Sequence, residues 1–427
     1  MFNLGNLVAA EDLCHAMSAP AESAMNCLRP GLEADPKRRC TISLATAQRL
    51  ACAPLGITHR MTRTAIALRN ETAIVPLRRS NTTLDVMPPR AAQYPELRYM
   101  GSKTRLLPWV FETLNLFDFE SALDPFSGTG CVSYLMKAMG RRVVASDFLN
   151  FASTVARATV ENSFVHLDGK AIKQLLDRTP PAHNFIERTF GGVFYTPEDL
   201  RFLDRVSGSI RQLQDPHQQA LAFAALFRSC SKRQPRGVFT ISGDLSHYDD
   251  GRRDLRLSIE EHFLEQIEVY NAAVFDNGRK NQALRSDLFE LPRRKVDLVY
   301  LDPPYVPRSD DNCYIKRYHF LEGLSCYWQG LPVDASTKVR KIAKRYTPFS
   351  YRRTAVEAFD RMFARFKGSK IALSYSSNGF PDLCQLESLM RKYKSSVRVF
   401  EKPHRYHFGT HQGVERASVT EYLIVGS

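Results

Sequence analysis

The chain has 427 residues, and 59 Lys and Arg against 45 Asp and Glu leave it a formal charge of +14. Apolar residues at 44% and aromatics at 11% provide for a sizeable core, which excludes a chain disordered throughout. A basic balance suits nucleic acid, an acidic membrane surface or the ribosome, and by itself selects none of them. No apolar run approaches the roughly 20 residues that cross a bilayer. The amino-terminal stretch carries Glu11, Asp12 and Glu22, where a signal peptide needs an apolar run. Nine scattered cysteines include no CxxC pair, so neither a disulfide framework nor a metal site is expected. A cytoplasmic protein with reduced thiols follows.

In chain order, residues 1–93 hold breakers (Pro20, Pro30-Gly31, Pro54, Pro76, Pro88-Pro89) without a sustained period. They are expected to be a poorly ordered leader, or an extension ahead of a natural start at Met87. From Tyr94 short apolar runs alternate with amphipathic segments. Val143 to Asp147 and Val296 to Asp302 read as buried strands that each end in an acid, and 371–375 and 421–425 read as two more. Strands separated by helices imply an α/β fold, a doubly wound, Rossmann-like parallel sheet whose ligand site lies at the carboxyl ends of the strands. Between 166 and 280 the pattern is mainly helical, with Thr196-Pro197 opening one helix and a Ser258/Glu261 capping box opening another. This stretch reads as an insertion, and it carries a basic loop at Arg228, Lys232, Arg233 and Arg236. Residues 331–405 hold 17 Lys and Arg against 6 Asp and Glu, densest at Lys338, Arg340, Lys341, Lys344 and Arg345.

Three places carry chemistry. Leu123-Asp124-Pro125-Phe126-Ser127-Gly128-Thr129-Gly130 runs from a strand end through a glycine turn into a helix starting at Cys131. Glycines admit a ligand close to the backbone, and the helix start offers unpaired N–H groups. No Gly-Lys-Ser/Thr follows and GxGxxG is absent, so the turn is neither a P-loop nor a dinucleotide fingerprint. Asp147, at the end of the next strand, stands where a carboxylate accepts ribose hydroxyls in doubly wound folds. Taken singly, the two would equally be a structural turn and a solvated acid; together they favour a nucleoside-containing cofactor. In Asp302-Pro303-Pro304-Tyr305 two prolines stiffen the backbone and leave only carbonyls, beside a carboxylate and an aromatic face. That set suits a planar ring with an exocyclic amino group: Asp302 and the Pro303 carbonyl accept its two hydrogens, and Tyr305 stacks on the ring.

Asp124 to Gly130 followed by Asp302 to Tyr305 resembles motifs I and IV of the S-adenosylmethionine-dependent N6-adenine DNA methyltransferases. Arg98-Tyr99-Met100-Gly101-Ser102-Lys103 resembles the segment preceding motif I in the Dam-like, alpha-arranged branch, and the order of all these segments is that branch's order. The resemblance covers residues 94–427. It implies a catalytic domain in two parts, 94–165 and 281–427, around a target recognition insert at 166–280. It implies that S-adenosyl-L-methionine lies against Tyr99, Gly101, Ser102, Lys103, Asp124, Phe126, Ser127, Gly128 and Gly130, with Asp147 at the ribose and Asp287 at the adenine, beside Leu288 or Phe289. Ser374 to Asn378 and the strand through Glu421 resemble later family motifs. The reaction implied is methyl transfer to N6 of an adenine flipped out of double-stranded DNA, with Asp302, Pro303, Pro304 and Tyr305 catalytic and a restriction endonuclease as a functional partner.

For DNA contacts the candidates are Arg228, Lys232, Arg233, Arg236, Lys338, Lys341, Lys344 and Arg345. The same charges would equally form a solvated loop and a solvated helix face. Other readings of the same motifs are an RNA adenine methyltransferase and an inactive DNA-binding protein of the same fold. N4-cytosine transfer is disfavoured, because that specificity more often has Ser at the position of Asp302.

Overall fold

The computed structural model describes residues 86–181, 183–235, 237–241, 251–306, 313–405 and 418–427. The leader expected over 1–93 thus lies outside the described residues as far as residue 85. Its last part is packed: Ala91 is buried in a short turn, Pro89–Gln93, against the helical layer of the sheet.

Helix α1 (Leu107–Leu114) leads into β1 (Ser121–Asp124), α2 (Cys131–Ala138) and β2 (Arg142–Asp147). A helical stretch follows: α3 (Asn150–Ala156), which runs into a π turn at Arg157–Glu161, then α4 (Gly169–Leu175), α5 (Phe185–Phe190), α6 (Pro197–Gln212), α7 (Pro216–Arg233), α8 (Arg253–Arg256) and α9 (Ile259–Ala272). The chain returns through β3 (Gln282–Arg285) and β4 (Leu298–Leu301) to α10 (Tyr314–Cys326) and a small ribbon, β5 (Val333–Asp334) with β6 (Lys341–Ile342). It closes with α11 (Arg352–Arg365), β7 (Lys370–Ser376), α12 (Leu383–Arg391), β8 (Val397–Arg405) and β9 (Ser418–Gly426).

Among the described residues seven strands form one sheet in the order β3-β2-β1-β4-β7-β9-β8. The first five are parallel, and β9 runs antiparallel between β7 and β8. Strands β1 and β4 are buried along their whole length, as central parallel strands covered on both faces must be. Helices α1 and α2 cover one face, and α11 and α12 the other. From β1 the chain winds outward through β2 to β3, then returns to β4 and winds the opposite way. The strand order therefore reverses between β1 and β4, which opens a crevice at their carboxyl ends.

The helical stretch forms its own core. Local signals set its helices: Thr196 accepts the Asp199 N–H at the start of α6, Asp215 accepts from His217 and Gln218 at the start of α7, and the Ser258/Glu261 capping box opens α9. The same core takes in residues from 313–342, so α10 and the ribbon belong to the helical layer although they follow β4. No helix among the described residues is long and apolar enough to cross a membrane.

Candidate active site

Asp124 ends β1, and Asp302 follows β4 directly. Between them lies a cleft whose walls include Tyr99 to Lys103, Asp124 to Thr129, Asp147, Phe148, Ser286 to Phe289, Asp302 and Pro304. Segments nearly 200 residues apart in the chain meet there because the sheet reverses at this point.

The glycine turn is held from several sides. Gly128 has φ +51°, and a Cβ on it would stand 3.0 Å from the Tyr99 ring, so the turn and the earlier aromatic fit only without a side chain there. Gly130 has φ +88° and caps α2; it lies behind the cleft wall instead of on it, so its part is to turn the chain. Ser127 donates its N–H to the Ser146 carbonyl at 2.9 Å, and Tyr94 donates its hydroxyl to the Thr129 carbonyl at 2.7 Å. Tyr99 stacks on Tyr318 at 4.9 Å and on Tyr314 at 5.3 Å, and the Met100 N–H donates to the Tyr318 hydroxyl at 2.6 Å.

Asp124 is 1% exposed, and burial pushes its carboxyl up to about 7 against the hydrogen bond from Ser133. Its Oδ1 and the Ser127 hydroxyl are buried without a hydrogen-bond partner among the described residues. Asp147 accepts the Gly128 N–H at 3.0 Å and the Leu149 N–H at 2.9 Å, so it anchors the glycine turn, and burial pushes it up to about 7. Asp287 accepts the Phe289 N–H at 3.0 Å. Phe126 packs edge-on to Phe349 at 5.4 Å.

Lys103 lines the cleft and also reaches the second motif. Its ammonium, on a side chain 4% exposed, lies 3.0 Å from Asp302 Oδ1 and 3.9 Å from Glu421 Oε2, and donates to the Tyr305 hydroxyl at 2.8 Å. Burial opposes that charge, but Asp302, Tyr305 and Glu421 together lift its pKa well above the ordinary lysine value. Asp302, 19% exposed, is raised by burial and drawn back by Lys103, with Glu421 adding to the rise. The single hydrogen of the Tyr305 hydroxyl has two acceptors in reach, Asp302 at 3.4 Å and Glu421 at 3.5 Å, and the Tyr305 ring lies against the edge of Tyr375 at 4.7 Å. Pro303 is buried. Among the described residues no group of three or more His, Cys, Asp and Glu could hold a metal ion.

The basic residues separate into two sets. Arg228 donates to the Glu96 carbonyl at 2.9 Å and to Gln266, Lys232 to Asp254 at 2.8 Å, and Arg233 to Asp199 at 3.2 Å and to the Leu255 carbonyl. The predicted basic loop is therefore largely turned inward: three of its charges tie the end of α7 to α8 and to neighbouring segments. Arg236 lies outside the described residues. Lys338 and Lys344 are exposed, and Lys341 is partly buried in β6. Arg345 stands over the Phe148 ring at 5.3 Å and 4.0 Å from Asp287, at the cleft itself. Phe148, Tyr314, Pro348 and Phe349 also line the cleft, and no sequence motif marks them; Phe148 directly follows Asp147, and that adjacency is the available signal. Glu421 stands in the strand that resembles a later family motif, and nothing in the sequence marks its approach to Lys103.

Residues 99–327 match the family described as D12 class N6 adenine-specific DNA methyltransferase. The chain is 31% identical over 327 residues to the Type II methyltransferase M2.HphI of Haemophilus parahaemolyticus, across 74% of this chain and 93% of that protein. It is 24% identical to the modification methylase StsI of Streptococcus sanguinis and 22% identical to the modification methylase LlaI of Lactococcus lactis subsp. lactis, each across 70% of this chain. It spans 46% and 49% of the length of those two.

Proposed function

The chain belongs to the D12 class N6 adenine-specific DNA methyltransferases, and from that premise we propose that S-adenosyl-L-methionine occupies the cleft and that the segment from Asp302 to Tyr305 receives a flipped adenine of double-stranded DNA. The observation that carries this reading is the meeting of the glycine turn with Asp302 across a single cleft.

The wall chemistry fits such a methyl donor. The free Oδ1 of Asp124 and the Ser127 hydroxyl are buried polar atoms without partners among the described residues, and a ligand bringing an ammonium group and hydroxyls would satisfy them. Asp147, Phe148 and Asp287 lie together on the wall and suit a ribose, an adenine face and an adenine amino group. When bound, the donor supplies an electrophilic methyl group on a cationic sulfur. Asp302 and the Pro303 carbonyl accept the amino hydrogens of the target base, which orients the nitrogen lone pair, and the Tyr305 ring offers a stacking face. No strong base is needed before attack, because the amine sheds its proton after it has become cationic.

For the duplex we assign phosphate contacts to Lys338, Lys341 and Lys344, with Arg345 at the mouth of the cleft. The helical layer built from 166–280 is the target recognition part. Relatives named as modification methylases support pairing with a restriction endonuclease, and action on chromosomal DNA would place the protein in the cytoplasm. Expression in a host lacking adenine methylation, followed by sequencing with modification detection, tests the reading. N6-methyladenine in one fixed short context is expected; unmodified DNA from a folded, expressed protein would overturn it.

A further inference from the structure

Glu421 belongs to β9, pairs in register with Ser376 of β7 and Lys402 of β8, and is wholly buried. Burying a carboxylate costs several kcal/mol, and a glutamine of the same shape would avoid that cost. The charge stands where it reaches both partners of the catalytic acid: 3.9 Å from the Lys103 ammonium and 3.5 Å from the Tyr305 hydroxyl. Two carboxylates thus compete for one ammonium, with Asp302 the nearer at 3.0 Å.

We infer that Glu421 is a positioning residue of the transfer reaction, acting on Asp302 through Lys103 and Tyr305. The inference rests on the proposed reading of the cleft. In the reaction the amine nitrogen forms an N–C bond as the donor's S–C bond breaks, the bonding pair goes to sulfur, and the nitrogen becomes cationic. Its proton then passes to the Asp302 carboxylate and on to water. A carboxylate locked one-to-one to a buried ammonium is a poor acceptor. By drawing part of the Lys103 charge, Glu421 leaves Asp302 enough basicity to take that proton, and through Tyr305 it fixes where the carboxylate points.

The direction of the electrostatics agrees, since Glu421 is among the groups that raise Asp302. Besides Lys103, Tyr305 and Glu421, Asp302 faces Asp124 of β1, Cys131 of α2, and Tyr99, Tyr300 and Tyr314. Burial raises the thiol and these three hydroxyls, so they stay protonated through the neutral range. Asp124 alone of this second group titrates near neutrality, and saturation with the donor removes its titration from the rate.

The test is the pH profile of the single-turnover methylation rate, with donor and duplex saturating. Glu421→Gln should slow the step by on the order of tenfold or more and move its acidic limb down by about one pH unit, with donor affinity unchanged. Glu421→Asp, which keeps the charge, should give a limb between those two. A Gln variant with wild-type rate and limb would overturn the inference, and so would slow transfer with an unmoved limb, the mark of a merely structural role. If the Gln variant does not fold, the Asp variant decides by the same criterion: a limb at the wild-type position overturns the inference. A wild-type protein that methylates no DNA would instead overturn the reading of the cleft.

Discussion

Ser133 donates its hydroxyl to Asp124 Oδ2 at 2.7 Å, while Asp124 Oδ1 remains buried without a partner among the described residues. Half of this carboxylate is therefore committed to the start of α2, and half is available to a ligand on the cleft wall. Burial has pushed the group up to about 7, so in the free protein it is substantially protonated below neutrality.

The sign of the pH effect follows. A carboxyl raised on folding contributes stability that is complete below its unfolded value and lost as pH rises through about 7. A cationic ligand needs the ionised form, so binding must expel the proton. Donor affinity, measured by calorimetry, should rise from pH 6 to pH 8, by up to about tenfold per pH unit below 7 for each carboxyl involved. Asp147, also near 7, adds to the slope if it is deprotonated on binding. Asp124→Asn should weaken binding and reduce the slope; an unchanged slope would remove Asp124 from the donor site.

The Lys103 ammonium is shared by two carboxylates, Asp302 and Glu421. Lys103→Met should leave Asp302 and Glu421 facing each other without their shared ammonium, a loss of about 3 kcal/mol or more for a buried pair broken on one side. Urea denaturation should register the lower stability together with lost methylation. A variant as stable as the wild type would mean that the carboxylates relax into water.

Tyr305 has two separable parts. The hydroxyl joins Lys103, Asp302 and Glu421, and the ring offers the stacking face. Tyr305→Phe keeps the ring and should reduce the single-turnover rate modestly. Tyr305→Ala should cost roughly 1–3 kcal/mol more, the range for stacking on one base. Equal damage from both would make the hydroxyl the working group.

The two sets of basic residues should behave differently in salt. Lys338→Ala and Lys344→Ala should each weaken DNA binding and lower the slope of log K against log salt by about 0.9. Arg233→Ala removes the partner of Asp199, which is 2% exposed, and should cost about 3 kcal/mol of stability while leaving the salt slope unchanged. A reduced slope in Arg233→Ala would return that residue to the DNA surface.

These contrasts indicate what one dimension could convey. The acids at strand ends were legible because a buried parallel strand is a short apolar run and its last residue stands out. The helix starts at Thr196 and Ser258 were legible because capping is local. The direction of Arg228, Lys232 and Arg233 was not: their partners lie as far away as Glu96, Gln266 and Asp254, and a run of charge reads the same whether it faces water or a neighbouring helix. Residues 313–342 join the helical core through tertiary packing that leaves no periodic mark. Glu421 reaches Lys103 only because β9 inserts antiparallel beside β7, and pairing order is not written in either strand.

Tyr99 is wedged between the glycine turn and the rings of α10, with Gly128 against one part of it and Tyr318 against another. Helix α10 is thereby braced against the glycine turn. A displacement of α10 would therefore press on that turn through Tyr99. Linkage makes the traffic two-way: the factor by which DNA changes donor affinity is the factor by which donor changes DNA affinity. If a bound duplex moves α10, loading of the two substrates is one coupled equilibrium, and a substitution at Tyr318, which stacks on Tyr99 and lies off the cleft wall, should alter that coupling.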